Sequence, residues 1–211
     1  MFMAISPVSF RIAAPQDAPA AGELLVATMG TSGEVVFGNN DHSRAVSQLG
    51  RLFALPGHRM SYQWSHLAIV DGQVAGMLVS FPGARLDALS VRLLKPLLRV
   101  FSLPGLLGVI WRGLPLLMGR ETNADEYYIA HIAVAPHRQR QGVATALLAK
   151  AYGLAAGLGL RKVSLVVDRE NQPARLVYDK AGFRVVQEVR QPWVPSRYHF
   201  SGYERRVKEL T

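Results

Sequence analysis

Residues 127–150 read YYIAHIAVAPHRQRQGVATALLAK, a stretch in which one type of secondary structure gives way to another. Its first eight residues are apolar and rich in β-formers, which predicts a buried strand. From Val143 onward, apolar residues recur at the spacing of one helix face. A basic, amide-rich turn with a glycine, residues 137–142, connects the two parts. The stretch therefore predicts a strand–turn–helix unit, a building block of α/β folds.

The turn of this unit has the chemistry of a phosphate site. The first N–H groups of a helix lack partners within the helix and lie at the positive end of its dipole, so phosphate binds there readily. Gly142 and Ala144 are small enough for the backbone to approach phosphate closely, and Arg138 and Arg140 add positive charge. The turn is neither a P-loop, because no G-K-[ST] follows, nor a G-x-G-x-x-G loop. Taken alone, it is equally consistent with a solvated helix start.

Strands and helices alternate through the rest of the chain, which predicts an α/β fold with a mixed sheet. The chain has 211 residues and no internal repeat, so we expect a single domain, residues 1–211. Strands are predicted over residues 9–14, on both sides of the turn at Asp71-Gly72, and over residues 125–134, 161–168, 183–189 and 197–207. Helices are predicted over residues 15–30, 41–57, 143–159 and 171–182.

One segment, residues 82–120, stands inside this alternation as a helical insertion. It is rich in Leu, is interrupted by prolines and carries scattered Arg and Lys. Its longest uncharged run has 12 residues, whereas a membrane span needs roughly 20 apolar residues. We expect short amphipathic helices packed on the body of the domain. A lid over a binding site, a dimer surface and a membrane-surface helix are the alternatives.

Composition excludes several classes of protein. The chain has no cysteine, which rules out a disulfide scaffold and a thiol nucleophile and favours a cytoplasmic location, as does an N-terminus unlike a signal peptide. No H-x-x-x-H pair or G-x-S-x-G elbow is present, so neither a metal site nor a serine hydrolase is expected. The net charge of +9 favours polyanionic partners. The cations are dispersed, however, and nucleic acid is not predicted.

A second stretch, NQPARLVYDKAGF at residues 171–183, follows the next predicted strand. Asn171 precedes a helix, Ala174 and Tyr178 lie on one face of it, and Gly182 ends it. With I-A-V-A-P at residues 132–136 and Q-R-Q-G-V-A at residues 139–144, the chain carries three ordered motifs. Together they resemble the GNAT N-acetyltransferase superfamily, in particular a bacterial branch with a Leu- and Arg-rich insertion before the cofactor-binding strand. The resemblance covers about residues 9–189.

The resemblance implies the GNAT fold, a mixed and mostly antiparallel sheet with helices on both faces. It also implies acetyl-CoA as the cofactor, bound where two parallel strands splay apart; here these would be residues 127–134 and 161–168. The residues expected to contact it are Ile132, Ala133 and Val134 along the pantetheine arm, Gln139, Arg140, Gln141, Gly142, Val143, Ala144 and Thr145 at the pyrophosphate, and Asn171 and Tyr178 near the thioester. For Asn171, a helix cap alone is the alternative.

By the same resemblance, Tyr178 is the expected general acid that protonates the departing thiolate. A phenol with a pKa of about 10 is protonated at neutral pH and can donate; the alternative is a buried helix aromatic. An amine arrives protonated and must lose a proton before it attacks. His131 and Glu126 are the candidate bases, and a water chain would also serve.

The implied function is transfer of acetyl from acetyl-CoA to a primary amine, on a small molecule or a peptide. The transfer would be direct, in a ternary complex, with no covalent enzyme intermediate. An acyltransferase for longer acyl-CoA and a non-catalytic acyl-CoA-binding sensor are the alternatives. We expect no metal, no nucleic acid and no membrane span, and a homodimer is left open.

Overall fold

The computed structural model describes residues 7–116 and 119–210. Seven strands form one sheet in the order β1-β2-β3-β4-β5-β7-β6, and within the described chain only β4 and β5 pair in parallel. This confirms the predicted mixed, mostly antiparallel sheet. The strands are β1 (Ser9–Ile12), β2 (Ser65–Val70), β3 (Gln73–Pro82), β4 (Tyr127–Val134), β5 (Lys162–Asp168), β6 (Arg184–Arg190) and β7 (Gly202–Glu209).

Helices cover both faces of the sheet. On one face, α1 and α2 pack in a core with β2 and β3; on the other, α6 and α7 pack in a second core with β4 and β5. The α-helices are α1 (Ala18–Gly33), α2 (His42–Phe53), α3 (Leu86–Val91), α4 (Leu94–Val100), α5 (Leu103–Gly113), α6 (Val143–Gly157) and α7 (Gln172–Lys180). The first helix continues beyond its predicted end, across a non-helical residue at Gly30.

The turn between β2 and β3 has the geometry that its sequence predicts. Asp71 and Gly72 have φ angles of +52° and +74°. Two positive φ angles in a two-residue connection make a type I′ turn, whose twist matches that of the flanking strands. Arg138, from the turn before α6, donates to the Asp71 carboxylate at 2.9 Å, which ties the hairpin to the strand–turn–helix unit.

The central strand β4 carries a bulge. Val79 of β3 pairs with His131, whereas the next residue, Ser80, pairs with Ile129, so Ala130 is an extra residue in β4. A bulge increases the local twist and bends the strand that contains it. It lies just where β4 stops pairing with β5.

The Leu-rich segment before β4 forms the three short helices α3, α4 and α5. Leu106 and Val109 of α5, Val100 of α4 and the neighbouring Phe101 are buried in the same core as α1 and α2. Across residues 7–116 and 119–210, no helix is both long and apolar enough to cross a membrane.

Candidate functional site

A cleft opens where β4 and β5 separate. The parallel ladder ends at the pair Ile129–Leu165, although β4 continues to Val134 and β5 to Asp168. Beyond that pair, β5 follows β7 and β4 follows β3. One edge of β4 therefore has no neighbouring strand from residues 7–116 and 119–210 after its bulge.

The backbone groups on this open edge can be assigned from the register. Ala135 donates its N–H to Ala75 of β3 at 2.9 Å, and Ala133 stands opposite Met77. Because the backbone groups of successive residues point to opposite edges of a strand, those of Ile132 and Val134 point into the cleft. The structure thus presents the two residues whose backbone was expected to bind pantetheine, with Ala133 between them facing β3.

The turn from β4 into α6 presents six consecutive N–H groups, those of residues 140–145. Among the described residues none of these N–H groups has an acceptor, and the first helical residue with a bonded N–H is Ala146, to Gly142. Arg140 and Gly142 have φ angles of +61° and +80°. Alternation of left- and right-handed backbone makes successive N–H groups converge into an anion-binding nest. A Cβ on Gly142 would meet no atom within 4 Å, so open space lies in front of the nest.

The start of α7 is different, because a side chain caps it. The Asn171 carboxamide oxygen accepts the N–H of Ala174 at 3.1 Å. The capping role considered for Asn171 is thus present in the structure. Its side-chain NH₂ group is exposed and donates to no described residue, so a contact between this group and a cofactor is compatible with the cap.

Tyr178 lies on α7 in the core shared with α6, and Ile132 and Val134 border that core. Its ring packs edge-to-face on Phe183, with 5.8 Å between the centroids. Its hydroxyl makes no hydrogen bond within the described chain. Burial raises the pKa of Tyr178 to about 12, against a smaller lowering by Arg206. The phenol is therefore protonated at neutral pH and has a proton to donate.

His131 lies on the opposite face of the sheet, against α1. Its Nδ1 is 2.9 Å from the Thr28 hydroxyl, which donates its proton to the Leu25 carbonyl at 2.8 Å. Since that hydroxyl has one proton, the imidazole donates from Nδ1 and keeps a lone pair on Nε2. Burial, reinforced by the positive charge of Arg59, lowers the pKa of His131 to about 4. The ring is neutral at pH 7, with Nε2 as its basic atom.

Glu126, the other candidate base, is enclosed by donors. It forms a short ion pair with Arg205 and also accepts the hydroxyl of Thr122 at 3.0 Å and the backbone N–H of Asn123 at 2.9 Å. Burial tends to raise its pKa, but Arg205 foremost, with the Asn123 N–H and Ser164, outweighs burial and lowers the pKa to about 2. A carboxylate with these bonds is a poor proton acceptor at neutral pH.

Comparison with known proteins identifies the family at this point. The model of the acetyltransferase (GNAT) family matches residues 48–183, more than half of the chain. The chain belongs to the GNAT acetyltransferase family. The match includes the open edge of β4, the nest and α7. Among curated proteins, no match was found.

Solved structures share the GNAT fold over nearly the whole chain. An N-acetyltransferase from Staphylococcus aureus Mu50 is 23% identical with a TM-score of 0.72, and the alignment covers 95% of this chain and 100% of that one. The ribosomal-protein-S18-alanine N-acetyltransferase from Escherichia coli is 16% identical with a TM-score of 0.54, covering 97% and 95%. At such identities the likeness shows a common fold.

The structure places an ion pair near His131 that the sequence did not single out. Arg59 forms a bidentate ion pair with Glu121 at 2.8 and 2.6 Å, and the Tyr128 hydroxyl donates to the same carboxylate at 2.5 Å. Burial tends to raise the pKa of Glu121, yet the pair with Arg59 outweighs burial and lowers it. Both charges act on His131. The partners are 62 residues apart in the chain, so no local pattern could have revealed them.

A second unpredicted cluster fixes α7. Arg206 of β7 is buried and donates to Asp179 at 2.6 Å and to the Arg175 carbonyl at 3.2 Å, both on α7. Arg175 in turn pairs with Glu204 of β7 at 2.8 Å. These ion pairs hold the helix that carries Tyr178 against the sheet.

Proposed function

We propose that this chain is an N-acetyltransferase that moves an acetyl group from acetyl-CoA to a primary amine by direct attack in a ternary complex. The observation that carries the proposal is the nest of six N–H groups that find no acceptor in the described part of the chain, directly after the open edge of β4. A diphosphate satisfies such a nest. An amide-containing arm that leaves the diphosphate can pair with a free strand edge much as a neighbouring strand would.

The residues present fit acetyl-CoA along this path. Arg140 adds a positive charge at the nest, whereas the charge of the nearby Arg138 is shared with Asp71. Small residues, Gly142 and Ala144, leave room for phosphate oxygens. The backbone groups of Ile132 and Val134 would hold the pantetheine amides. A free N–H at this edge would also polarise the thioester carbonyl, a small oxyanion site.

The two candidate side chains for proton transfer lie on opposite faces of the sheet at the cleft. In the proposed reaction the amine nitrogen attacks the thioester carbon, a C–N bond forms and the C–S bond breaks. Tyr178 would give its proton to the departing sulfur, and Nε2 of His131 would accept the proton that the amine loses. Burial weakens Tyr178 as an acid, but the same burial also raises the pKa of the departing thiol. The difference between the two pKa values therefore changes little, and the proton can still pass to the sulfur.

Thermal unfolding with and without acetyl-CoA tests the nest. A ligand that binds only the folded state raises the melting temperature. Gly142→Asn and Gly142→Asp form a matched pair, because both residues tolerate a positive φ and only Asp adds a negative charge to the nest. Acetyl-CoA should stabilise the wild type most, the Asn variant less because its side chain enters space that Gly142 leaves open, and the Asp variant least. Equal stabilisation of both variants would count against phosphate binding at this turn.

Turnover separates an enzyme from a sensor. Release of free thiol is followed with a panel of amines, peptide N-termini included, and with acetyl-CoA beside longer acyl-CoA. Thiol release that needs both acetyl-CoA and an amine supports the proposal. Binding of acetyl-CoA without release of thiol in the presence of any amine would favour a sensor. Faster release of thiol from a longer acyl-CoA would favour an acyltransferase for longer acyl groups.

A further inference from the structure

The helices α3, α4 and α5 expose an unusual amount of apolar surface. Eight of the 15 large hydrophobic side chains that are exposed in the described chain fall between residues 91 and 114. Leu94 and Leu98 are one helical turn apart on α4, and Leu103, Leu107, Ile110 and Trp111 lie at helical spacing on α5. Val91 is the last residue of α3, and Leu114 directly follows α5. Trp111 is 74% exposed. Such a concentration marks an interaction surface rather than the scattered apolar residues of an ordinary protein surface.

Helix α5 is apolar on two sides. Leu106 and Val109 face the core, while Leu107, Ile110 and Trp111 face solvent. A helix that is apolar all round is normally buried all round. The outer side of α5 therefore has the composition of a buried helix face, but no described residue covers it.

The charge on this surface is mostly positive, with Asp87 at the start of α3 as the acidic exception. From Ala88 to Arg120 the sequence has five basic residues and no acidic one. Among them Arg92, Lys95 and Arg99 form no ion pair with any described residue. These three cations line a shallow cavity of about 480 Å³ together with Val91, Leu94 and Leu98. Apolar walls and unpaired cations are thus combined in one groove.

We propose that α3, α4 and α5 form a docking surface for a membrane that contains anionic lipid. Apolar side chains would enter the boundary between headgroups and acyl chains, and the cations would meet lipid phosphates, the arrangement typical of interfacial helices. A second copy of this chain fits less well, because it would bring an equally basic surface against this one. The segment lies on the surface without spanning the bilayer, consistent with its short helices.

Vesicle flotation with the full-length chain tests the surface. Binding is compared between vesicles of phosphatidylcholine alone and vesicles that also contain phosphatidylglycerol. We expect binding only to the second kind, falling with added salt, and a blue shift of Trp111 fluorescence that Trp111→Phe removes. Arg92→Gln/Lys95→Gln/Arg99→Gln should lower the partition coefficient roughly 100-fold, since each cation near an anionic surface contributes about five-fold. Leu107→Gln should lower it roughly tenfold.

Matched changes elsewhere serve as controls. Arg161→Gln/Lys180→Gln/Arg184→Gln removes three exposed cations, and Leu158→Gln removes an exposed apolar side chain; neither set should affect vesicle binding. Equal binding to both kinds of vesicle, or equal loss with the control variants, would overturn the proposal. So would the absence of vesicle binding, or a concentration-dependent dimer that Leu107→Gln dissociates.

Discussion

Burial raises the pKa of Tyr178 and lowers the pKa of His131. Burial keeps the proton on the phenol, because the charged form is the deprotonated one, and keeps the proton off the imidazole, because there the charged form is the protonated one. Each group is therefore neutral at pH 7, so the phenol has a proton to donate and the imidazole has a free lone pair. A pKa of about 4 makes that imidazole a weak base, so its proposed role is to pass the proton of the amine on and not to keep it.

Tyr178→Phe removes the proposed acid while keeping the ring on Phe183. We expect kcat to fall on the order of 10²-fold, the usual scale for loss of a general acid, with acetyl-CoA affinity nearly unchanged. Steady-state kinetics with a ternary-complex analysis gives both quantities. An unchanged kcat would remove Tyr178 from the reaction and leave it as a packing residue.

His131→Gln tests the base. A loss on the order of 10²-fold in kcat is expected, and Thr28→Val, which leaves the ring but removes its orienting hydroxyl, should cost less. Because the pKa of His131 is about 4, the wild-type profile of kcat against pH should show no histidine titration near pH 6.5. A profile with a clear step at that pH, or full activity of His131→Gln, would point to a base other than this ring.

Arg140 occupies a conformation that favours glycine. Its φ of +61° costs a non-glycine residue about 1–2 kcal/mol. Arg140→Gly should raise the free energy of unfolding by up to about 1 kcal/mol after the entropy cost of glycine. Gln141→Gly, at the neighbouring position without a positive φ, should instead lower it by about 0.5–1 kcal/mol. Urea unfolding measures both, and equal effects of the two variants would contradict the strain argument.

At the scale of elements, strand β7 places two adjacent arginines so that they form ion pairs on opposite faces of the sheet. Successive side chains of a strand point to opposite faces. Arg205 therefore reaches Glu126 on one face, and Arg206 reaches α7 on the other. Both arginines are buried, so each pairing substitutes for water that the charge has lost.

The pair of Glu126 and Arg205 is expected to stabilise the fold without taking part in the reaction. Glu126→Gln leaves Arg205 buried without a carboxylate and should lower the free energy of unfolding by about 3 kcal/mol. kcat at a temperature where the variant is folded should stay within about threefold of the wild type. The double variant Glu126→Gln/Arg205→Met should recover part of the lost stability. A large loss of kcat in folded Glu126→Gln would restore Glu126 as a catalytic candidate.

The sequence predicts the features that depend on residues close together in the chain, and it does not predict contacts between distant residues. The hairpin at Asp71-Gly72, the helix face beginning at Val143 and the cap at Asn171 depend on neighbours within a few residues, and the structure has all three. The pairing of Arg59 with Glu121 joins distant parts of the chain, and nothing near either residue signals it. The pKa of His131 depends first on burial and then on that pair, and both arise from long-range packing, so its direction could not be predicted from the sequence.

On the scale of the whole molecule, buried histidines should make stability depend on pH. Burial lowers the pKa of His58, His66 and His131 in the folded state. As pH falls below 6.5, the unfolded chain gains protons at these sites before the folded protein does, so the free energy of unfolding falls. Each histidine contributes up to about 1.4 kcal/mol per pH unit, and for His131 the loss extends to about pH 4.

Urea unfolding between pH 7.5 and 5 measures this slope. His131→Asn should reduce it. The exposed His42 has the opposite effect, because the hydrogen bonds that it donates to the Glu34 and Glu23 carboxylates raise its pKa. Stability that stays constant over this range would show that the three histidines are hydrated in the folded protein.

The nest before α6 has a consequence for isotope exchange. Its six amides are ordered by the fold and yet lack acceptors among the described residues, so in heavy water they should take up deuterium almost as fast as an unstructured peptide. The remainder of α6 should exchange slowly. A bound diphosphate would reverse this difference at residues 140–145 alone, and the deuteration rate there would then report how long each ligand molecule stays.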